Sequence, residues 1–335
     1  MDSRERVLRA LRFERPDRPP RELWYLPGIG MFRKDELDQV LARYPPDLAR
    51  PPDPYGSSRR AAGTRNTVGT YTDEWGCIWS VGEPGVIGEV SRPPLTDWSA
   101  LESYEAPYEV LEKADFSAVR AFCSESTRFV LASTGVRLFE RMQFLRGTEA
   151  LFMDLAYGSD QVLHLRNLVH AYFMQELALW CETEVDGISF MDDWGAQKGL
   201  LIAPRLWREL FKPLYAEYCR AIHQAGKFVF MHSDGDISAI YPDLIEIGVD
   251  ALNSQLFCMD IEELGRLYKG KITFWGEIDR QTVLPFGRPG DVREAVRRVR
   301  AALDDGAGGV IAQCEWGLDA PRANVEAVFE AWLEA

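Results

Sequence analysis

The feature that most constrains this chain is a repeated alternation of short apolar runs with amphipathic helical stretches. Phe129–Ala132, Gly187–Met191, Lys227–Met231, Asp250–Leu252, Ile272–Trp275 and Gly309–Ala312 are each apolar and short enough to be buried strands. Between them lie helical stretches, marked by Leu163, Leu168, Phe173 and Leu177 up to about Cys181, and by Pro204–Gln224, where Pro204 suits a helix start. Strands separated by helices call for a parallel sheet with the helices outside it. Glu22–Leu26 adds one earlier strand, so the sequence predicts seven strands, one short of a closed eight. The rival architecture, an open doubly wound sheet, would carry a GxGxxG turn or a P-loop, and neither is present. The expected class is α/β, a distorted (β/α)8 TIM-type barrel.

The first third reads differently. Ser3 to about Phe13 predicts a short helix, capped by Ser3 and ended by Pro16, Pro19 and Pro20. Tyr44–Pro54 is proline-rich and reads as irregular. Thr72–Val90 alternates around Gly82 and Gly85, which predicts a β-hairpin inserted outside the barrel. The expectation is one barrel domain over 1–335, with 1–125 supplying the N-terminal extension, first strand and hairpin, and 126–335 the main repeats.

Chemistry-bearing residues follow the strands. Asp192-Asp193-Trp194-Gly195, His232-Ser233-Asp234-Gly235, Asn253-Ser254-Gln255, Gly276-Glu277 and Gln313-Cys314-Glu315-Trp316 each come directly after an apolar run. In a barrel these ends converge on one mouth, where catalytic groups sit. Each has a plainer reading: Asp192, Asp193 and Asp234 are also turn formers, and Trp194, Trp275 and Trp316 are also core residues. It is the convergence of five strand ends that points to a site. Of the four histidines, His164, His170 and His223 fall in or near helices, whereas His232 ends a strand.

Charge and cysteine content narrow the class of partner. Lys and Arg number 38 against 52 Asp and Glu, a net charge of −14, which argues against nucleic acid and anionic membrane surfaces. The six cysteines are scattered without a CxxC, and the charged N-terminus lacks a signal-like apolar run, so a reducing cytoplasmic setting is expected. No apolar run approaches the roughly 20 residues of a membrane span.

The ordered set Ser3-Arg4-Glu5-Arg6-Val7-Leu8, Pro16-Asp17-Arg18-Pro19-Pro20, Asp73-Glu74-Trp75-Gly76-Cys77, Asp192-Asp193-Trp194-Gly195-x-Gln197, His232-Ser233-Asp234-Gly235 and Asp250-Ala251-Leu252-Asn253 resembles the uroporphyrinogen decarboxylase superfamily, in its corrinoid-dependent methyltransferase branch. The decarboxylases themselves use an arginine-rich N-terminal stretch to hold a polyanionic tetrapyrrole. Here Glu22–Phe32 is apolar and aromatic with Arg33 only at its end, and unpaired buried anions are costly, so decarboxylation is the lesser alternative.

The methyltransferase resemblance implies transfer of a methyl group from a small methylated compound to a corrinoid protein, with Zn²⁺ held by a His-x-Cys strand end and a later Cys. His232 matches the histidine, Asp234 stands where the first cysteine would be, and Cys314 matches the later one. A carboxylate in the set hardens the metal and favours an oxygen substrate, an O-methyl compound, over a thiol. Glu277, Glu315 and Asp193 are the expected catalytic carboxylates. Asp192, Gln197, Gln255, Trp194, Trp275 and Tyr25 are expected to bind substrate. Cobalamin would arrive on the partner protein, because no Asp-x-His-x-x-Gly anchor is present. A metal-free barrel hydrolase working through strand-end carboxylates is a further alternative. The oligomeric state stays open, a homodimer being one option.

Overall fold

The computed structural model describes residues 1–334. Eight strands form one all-parallel sheet: β1 Arg21–Tyr25, β2 Leu48–Ala49, β3 Phe129–Ser133, β4 Gly187–Met191, β5 Phe228–Ser233, β6 Ala251–Ser254, β7 Thr273–Trp275 and β8 Val310–Trp316. The spatial order is β1-β8-β7-β6-β5-β4-β3-β2, with helices alternating along the chain, so the fold is a (β/α)8 barrel. The seam between β1 and β2 is bridged by Asp47. Its amide donates to the Arg21 carbonyl at 2.9 Å, and its carboxylate accepts from the Arg21 amide at 2.9 Å.

The eighth strand is the one the sequence hides. β2 has only two residues and lies between Pro45-Pro46 and Pro51-Pro52. Proline deletes the ladder donors that would extend it. The expected Pro204–Gln224 helix is two helices, Pro204–Leu210 and Lys212–Gln224, with Pro213 in the first turn of the second, where its missing N–H costs least. The first helix, Ser3–Arg12, is capped by Asp2, not Ser3: the Asp2 side chain accepts from the Glu5 amide, and Ser3 Oγ donates to Asp47 instead. The insertion is a three-stranded antiparallel sheet, Gly69–Thr72, Ile78–Val81 and Glu89–Arg92, where the sequence predicted a hairpin.

Strand alternation sorts the core into two layers. Phe129, Leu131, Phe230, Ala251, Trp275 and Ile311 fill the barrel interior, joined by Val7 and Leu11 of the first helix. Leu23, Ile188, Val229, Leu252, Phe274, Ala312 and Cys314 belong to the outer layer shared with the helices. This parity decides which strand-end residues reach the mouth. Among the described residues no helix is long and apolar enough to cross a membrane.

Candidate functional site

On β5, His232 shares its face with Phe228 and Phe230 and so points into the barrel at its C-terminal end. The turns after β4 and β5 meet backbone to backbone. Gly195 donates to the Asp234 carbonyl at 3.0 Å and Asp236 donates to the Ala196 carbonyl at 2.8 Å. Only glycine permits this approach: a Cβ on Gly235, which has φ +77°, would lie 2.2 Å from the Gly195 carbonyl carbon. The contact places Asp193 beside Asp234, whose amide donates to Asp193 Oδ1 at 2.9 Å.

Asp193, His232 and Asp234 therefore converge. His232 Nε2 lies 3.3 Å from Asp234 Oδ1 and 3.6 Å from Asp193 Oδ1. The other ring nitrogen, Nδ1, is 2.6 Å from Asn253 Oδ1, which fixes the ring's orientation. Burial opposes charge on His232, but Asp234 and Asp193 outweigh it and raise its pKa to about 9. Burial likewise opposes charge on Asp234, yet His232 and Arg280 hold it down at about 2. Arg280 ion-pairs with Asp234 Oδ2 and Glu315, the latter at 2.6 Å, and lies 3.6 Å from Glu277. Burial pushes Glu277 up to about 8, against the pull of Arg280.

Two cavities meet at this cluster. One, of about 600 Å³, is walled by Trp24, Tyr25, Met191 and Trp275 and reaches His232 and Glu315. The other, of about 610 Å³, is polar and walled by Asp193, Asp234, Gln197, Gln255, Arg280 and Glu315. Asp193, Asp234, His232, Glu315, Gln197, Gln255, Tyr25 and Trp275 are thus brought to the mouth. Gln255 is partly spoken for, since its Oε1 accepts from the Gly235 amide at 2.8 Å. Glu277 is 4% exposed, lies on the wall of neither cavity and faces Arg280 at 3.6 Å.

Three expected site residues are elsewhere. Asp192 is fully buried and accepts from the Phe139 and Glu140 amides at 2.6 and 2.8 Å and from the Tyr215 hydroxyl. It caps the helix Leu138–Arg146 and does not reach substrate. Trp194 stacks on Phe139 with ring centroids 4.2 Å apart and packs edge-on against Trp207 and Phe211, so it is core behind the site. Cys314 falls on the outer face of β8, one residue out of phase with Gln313 and Glu315, and is completely buried in the helix-facing core. It is not among the residues whose ligand atoms come together, which are Asp193, His232 and Asp234. It is therefore not part of the ligand set.

Sequence reading missed Arg280, which sits five residues past the last strand residue, Trp275, and so outside the strand-end window. It also missed the floor of the apolar cavity. There Arg50 donates to Glu22 at 2.9 Å and to Ser133 at 2.6 Å, and Glu22 accepts from Trp275 Nε1 at 2.7 Å. Charged Asp47 and Arg50, in the four-residue gap between two proline pairs, were the available signal.

The triad fits a divalent cation on one independent observation. Asp234 Oδ1 is buried and makes no well-aligned hydrogen bond, facing the His232 ring nitrogen at 3.3 Å, while its sister oxygen is taken by Arg280. Asp193, His232 and Asp234 each offer one ligand atom, all within 4.8 Å of one another. Two oxygens and an imidazole nitrogen suit Zn²⁺ or a harder divalent ion.

A structure of a methyltransferase from Methanosarcina mazei matches this chain with a TM-score of 0.73 at 14% identity, over 99% of this chain and 98% of that one. A 3-keto-D-glucoside 4-epimerase, YcjR, from E. coli matches with a TM-score of 0.42 at 11% identity, over 72% of this chain and 95% of that one. The first likeness establishes the same fold. No curated protein matches the sequence. The model of the uroporphyrinogen decarboxylase (URO-D) family matches residues 137–334, more than half of the chain and the span that supplies Asp193, His232, Asp234 and Arg280. This chain belongs to the uroporphyrinogen decarboxylase family.

Proposed function

We propose that the chain is a methyltransferase that moves a methyl group from a small O-methyl compound to the cobalt of a corrinoid carried by a separate protein. The observation that carries this reading is the convergence of Asp193, His232 and Asp234, each offering one ligand atom, beside an apolar, aromatic-walled cavity. The fold shared with the Methanosarcina mazei methyltransferase supports it. The corrinoid on its own protein would supply the nucleophile that takes the methyl carbon from its oxygen. The electron pair of the broken C–O bond stays on the oxygen, which takes a proton and departs as an alcohol or phenol.

A divalent cation held by Asp193, His232 and Asp234 would supply Lewis acidity at that oxygen. The chain's own groups prepare the rest. Asn253 orients the His232 ring, Arg280 holds Asp234 by one oxygen and leaves the other facing His232, and Glu277, kept largely protonated by burial, sits behind Arg280 without cancelling its charge. Trp24, Tyr25 and Trp275 give the substrate a wall that excludes water. Of the two arginines on the wall of the apolar cavity, Arg50 is paired with Glu22, which leaves Arg128 alone to meet the several carboxylates of a tetrapyrrole.

The test is direct. Purified protein, a methoxyarene and reduced cobalamin are mixed, and conversion to methylcobalamin is followed by absorbance, with metal content measured on the same sample. Methyl transfer that needs corrinoid and falls with His232→Gln supports the proposal. Demethylation by the chain alone, with no corrinoid added, overturns it.

A further inference from the structure

The barrel wall is incomplete between β1 and β2. β1 pairs with β8 and β2 with β3, and beyond the Asp47–Arg21 contact no backbone hydrogen bond among the described residues joins β1 to β2. The cause lies in the sequence: Pro51 and Pro52 follow Arg50 and have no N–H to donate across the seam. The apolar cavity of about 600 Å³ takes its wall from both faces of the barrel here. Trp24 and Leu48 belong to the interior layer. Leu23 belongs to the outer layer, as do Leu41 of the helix Lys34–Arg43 and Phe122 of the helix Ser117–Glu125. A cavity walled on both sides of a sheet passes through it.

The two ends of this passage differ in chemistry. At the mouth the wall is aromatic, which suits a ring beside His232. In the seam it is aliphatic, from Leu23, Leu41, Pro46, Leu48 and Ala49, which suits a run of methylenes. Distance points the same way. β3, of 5 residues, separates Arg128 from the mouth side of Ser133, roughly 16 Å at about 3.3 Å per residue. A ring alone does not fill that length, and a ring with an alkyl tail does.

Charge sets the far end. Of the charged groups on this wall, Glu22 is paired with Arg50 at 2.9 Å and Glu315 with Arg280 at 2.6 Å, while His232 faces Asp234 and Asp193. Arg128, exposed at the outer end, has no carboxylate partner among the described residues. An unpaired guanidinium at the outlet of an aliphatic passage matches an anionic chain end.

We propose that the gap between β1 and β2 holds the tail of the substrate, an alkyl chain ending in a carboxylate that meets Arg128. The inference rests on the proposed function for the ring beside His232, but binding is read without turnover. Calorimetric titration of the full chain compares the acetate, hexanoate and decanoate that carry a 4-methoxyphenyl group, kept too dilute for micelles. Affinity is expected to rise about 30-fold or more from acetate to decanoate, since each buried methylene adds a few-fold. In Ala49→Trp, which fills the gap, that rise is expected to vanish while the acetate binds as in the wild type. Arg128→Gln is expected to weaken the decanoate about 5- to 20-fold, the size of one exposed charge-assisted hydrogen bond, and to leave its methyl ester unchanged. Thermal melts check that the variants fold. Should Ala49→Trp fail to fold, Leu41→Trp narrows the gap from the helix side and is expected to act alike. Equal affinity for the three acids in the wild type, a length effect that persists in a folded Ala49→Trp or Leu41→Trp chain, or a decanoate bound as tightly by Arg128→Gln as by the wild type overturns the proposal. Failure of methyl transfer with the length effect intact counts against the function above and not against this gap.

Discussion

Two clusters of buried charge occupy opposite ends of the barrel, and they differ in how fully they are satisfied. At the base, the Asp47 carboxylate accepts from Arg6 at 2.6 Å, Arg18 at 2.7 Å, Ser3 at 2.8 Å and the Arg21 amide at 2.9 Å. Burial opposes its charge, yet those donors hold its carboxyl below the usual range. At the mouth, the buried Asp234 Oδ1 makes no well-aligned hydrogen bond and meets only the His232 ring at 3.3 Å, and burial raises Asp193, Glu140 and Glu277 above theirs. A saturated cluster has nothing left to offer a ligand and serves the fold. An unsaturated one stores electrostatic cost that a ligand can relieve, and perturbed groups of this kind gather at functional sites.

The sharpest way to break the comparison is to empty the saturated cluster. Asp47→Ala leaves Arg6 and Arg18 facing each other without their shared anion and opens the β1–β2 seam. Unpairing a buried charge of this kind costs about 3–5 kcal/mol. Urea unfolding should show that loss, and a loss under about 1 kcal/mol would mean the base cluster is not what closes the barrel. His232→Gln, at the unsaturated end, is expected to do the reverse. Methyl transfer and bound metal should fall together, the rate by roughly 10²-fold or more by analogy with loss of a group stabilising charge at a reacting oxygen. Stability should change far less than in Asp47→Ala.

A third comparison uses pH. Glu176 is buried, and its surroundings raise its pKa to about 7 through burial first and Glu74 next, against the Gly135 amide, Arg141 and Tyr55. Between the unfolded carboxylate range and about 7 the native chain holds a proton there that the unfolded chain has released. The native state therefore binds more protons, and stability falls as pH rises through that window. The contribution is on the order of 3 kcal/mol, present below about pH 4 and lost by about pH 8. Glu176→Gln should flatten this part of the stability–pH curve, measured by denaturant melts at several pH values. An unchanged slope would show that Glu176 titrates as an ordinary carboxylate.

Much of this was legible before the structure, and the failures have common physical causes. The barrel and five converging strand ends followed from periodicity, because parallel strands buried on both faces carry no competing signal. β2 was invisible because two residues carry no period and prolines surround them. At the mouth, residue types were readable but their direction was not. β5 runs to Ser233 and β8 to Trp316, two and four residues beyond the apolar runs that announced them. Residues taken as lying after a strand are thus inside it, and alternation assigns each to the lumen or the helices. His232 and Glu315 fall inward, Cys314 outward. The adjacent pair Asp192 and Asp193 divides similarly, one into a helix cap and the other into the triad.

That parity gives the smallest expected effect, and it bears on the metal. If the ligand set is Asp193, His232 and Asp234, Cys314→Ala should leave metal content and methyl transfer as they are. The thiol packs in the outer core, completely buried. Deleting it should lower stability by only about 1–2 kcal/mol, the usual cost of a small buried side chain. Asp234→Ala should strip the metal and also lower stability, because it leaves Arg280 and His232 without their shared carboxylate. Elemental analysis of both variants beside the wild type decides the matter. Loss of metal from Cys314→Ala with Asp234→Ala still loaded would mean that β8 turns its other face to the mouth in the working enzyme, and the inward–outward assignment of that strand would have to be reversed.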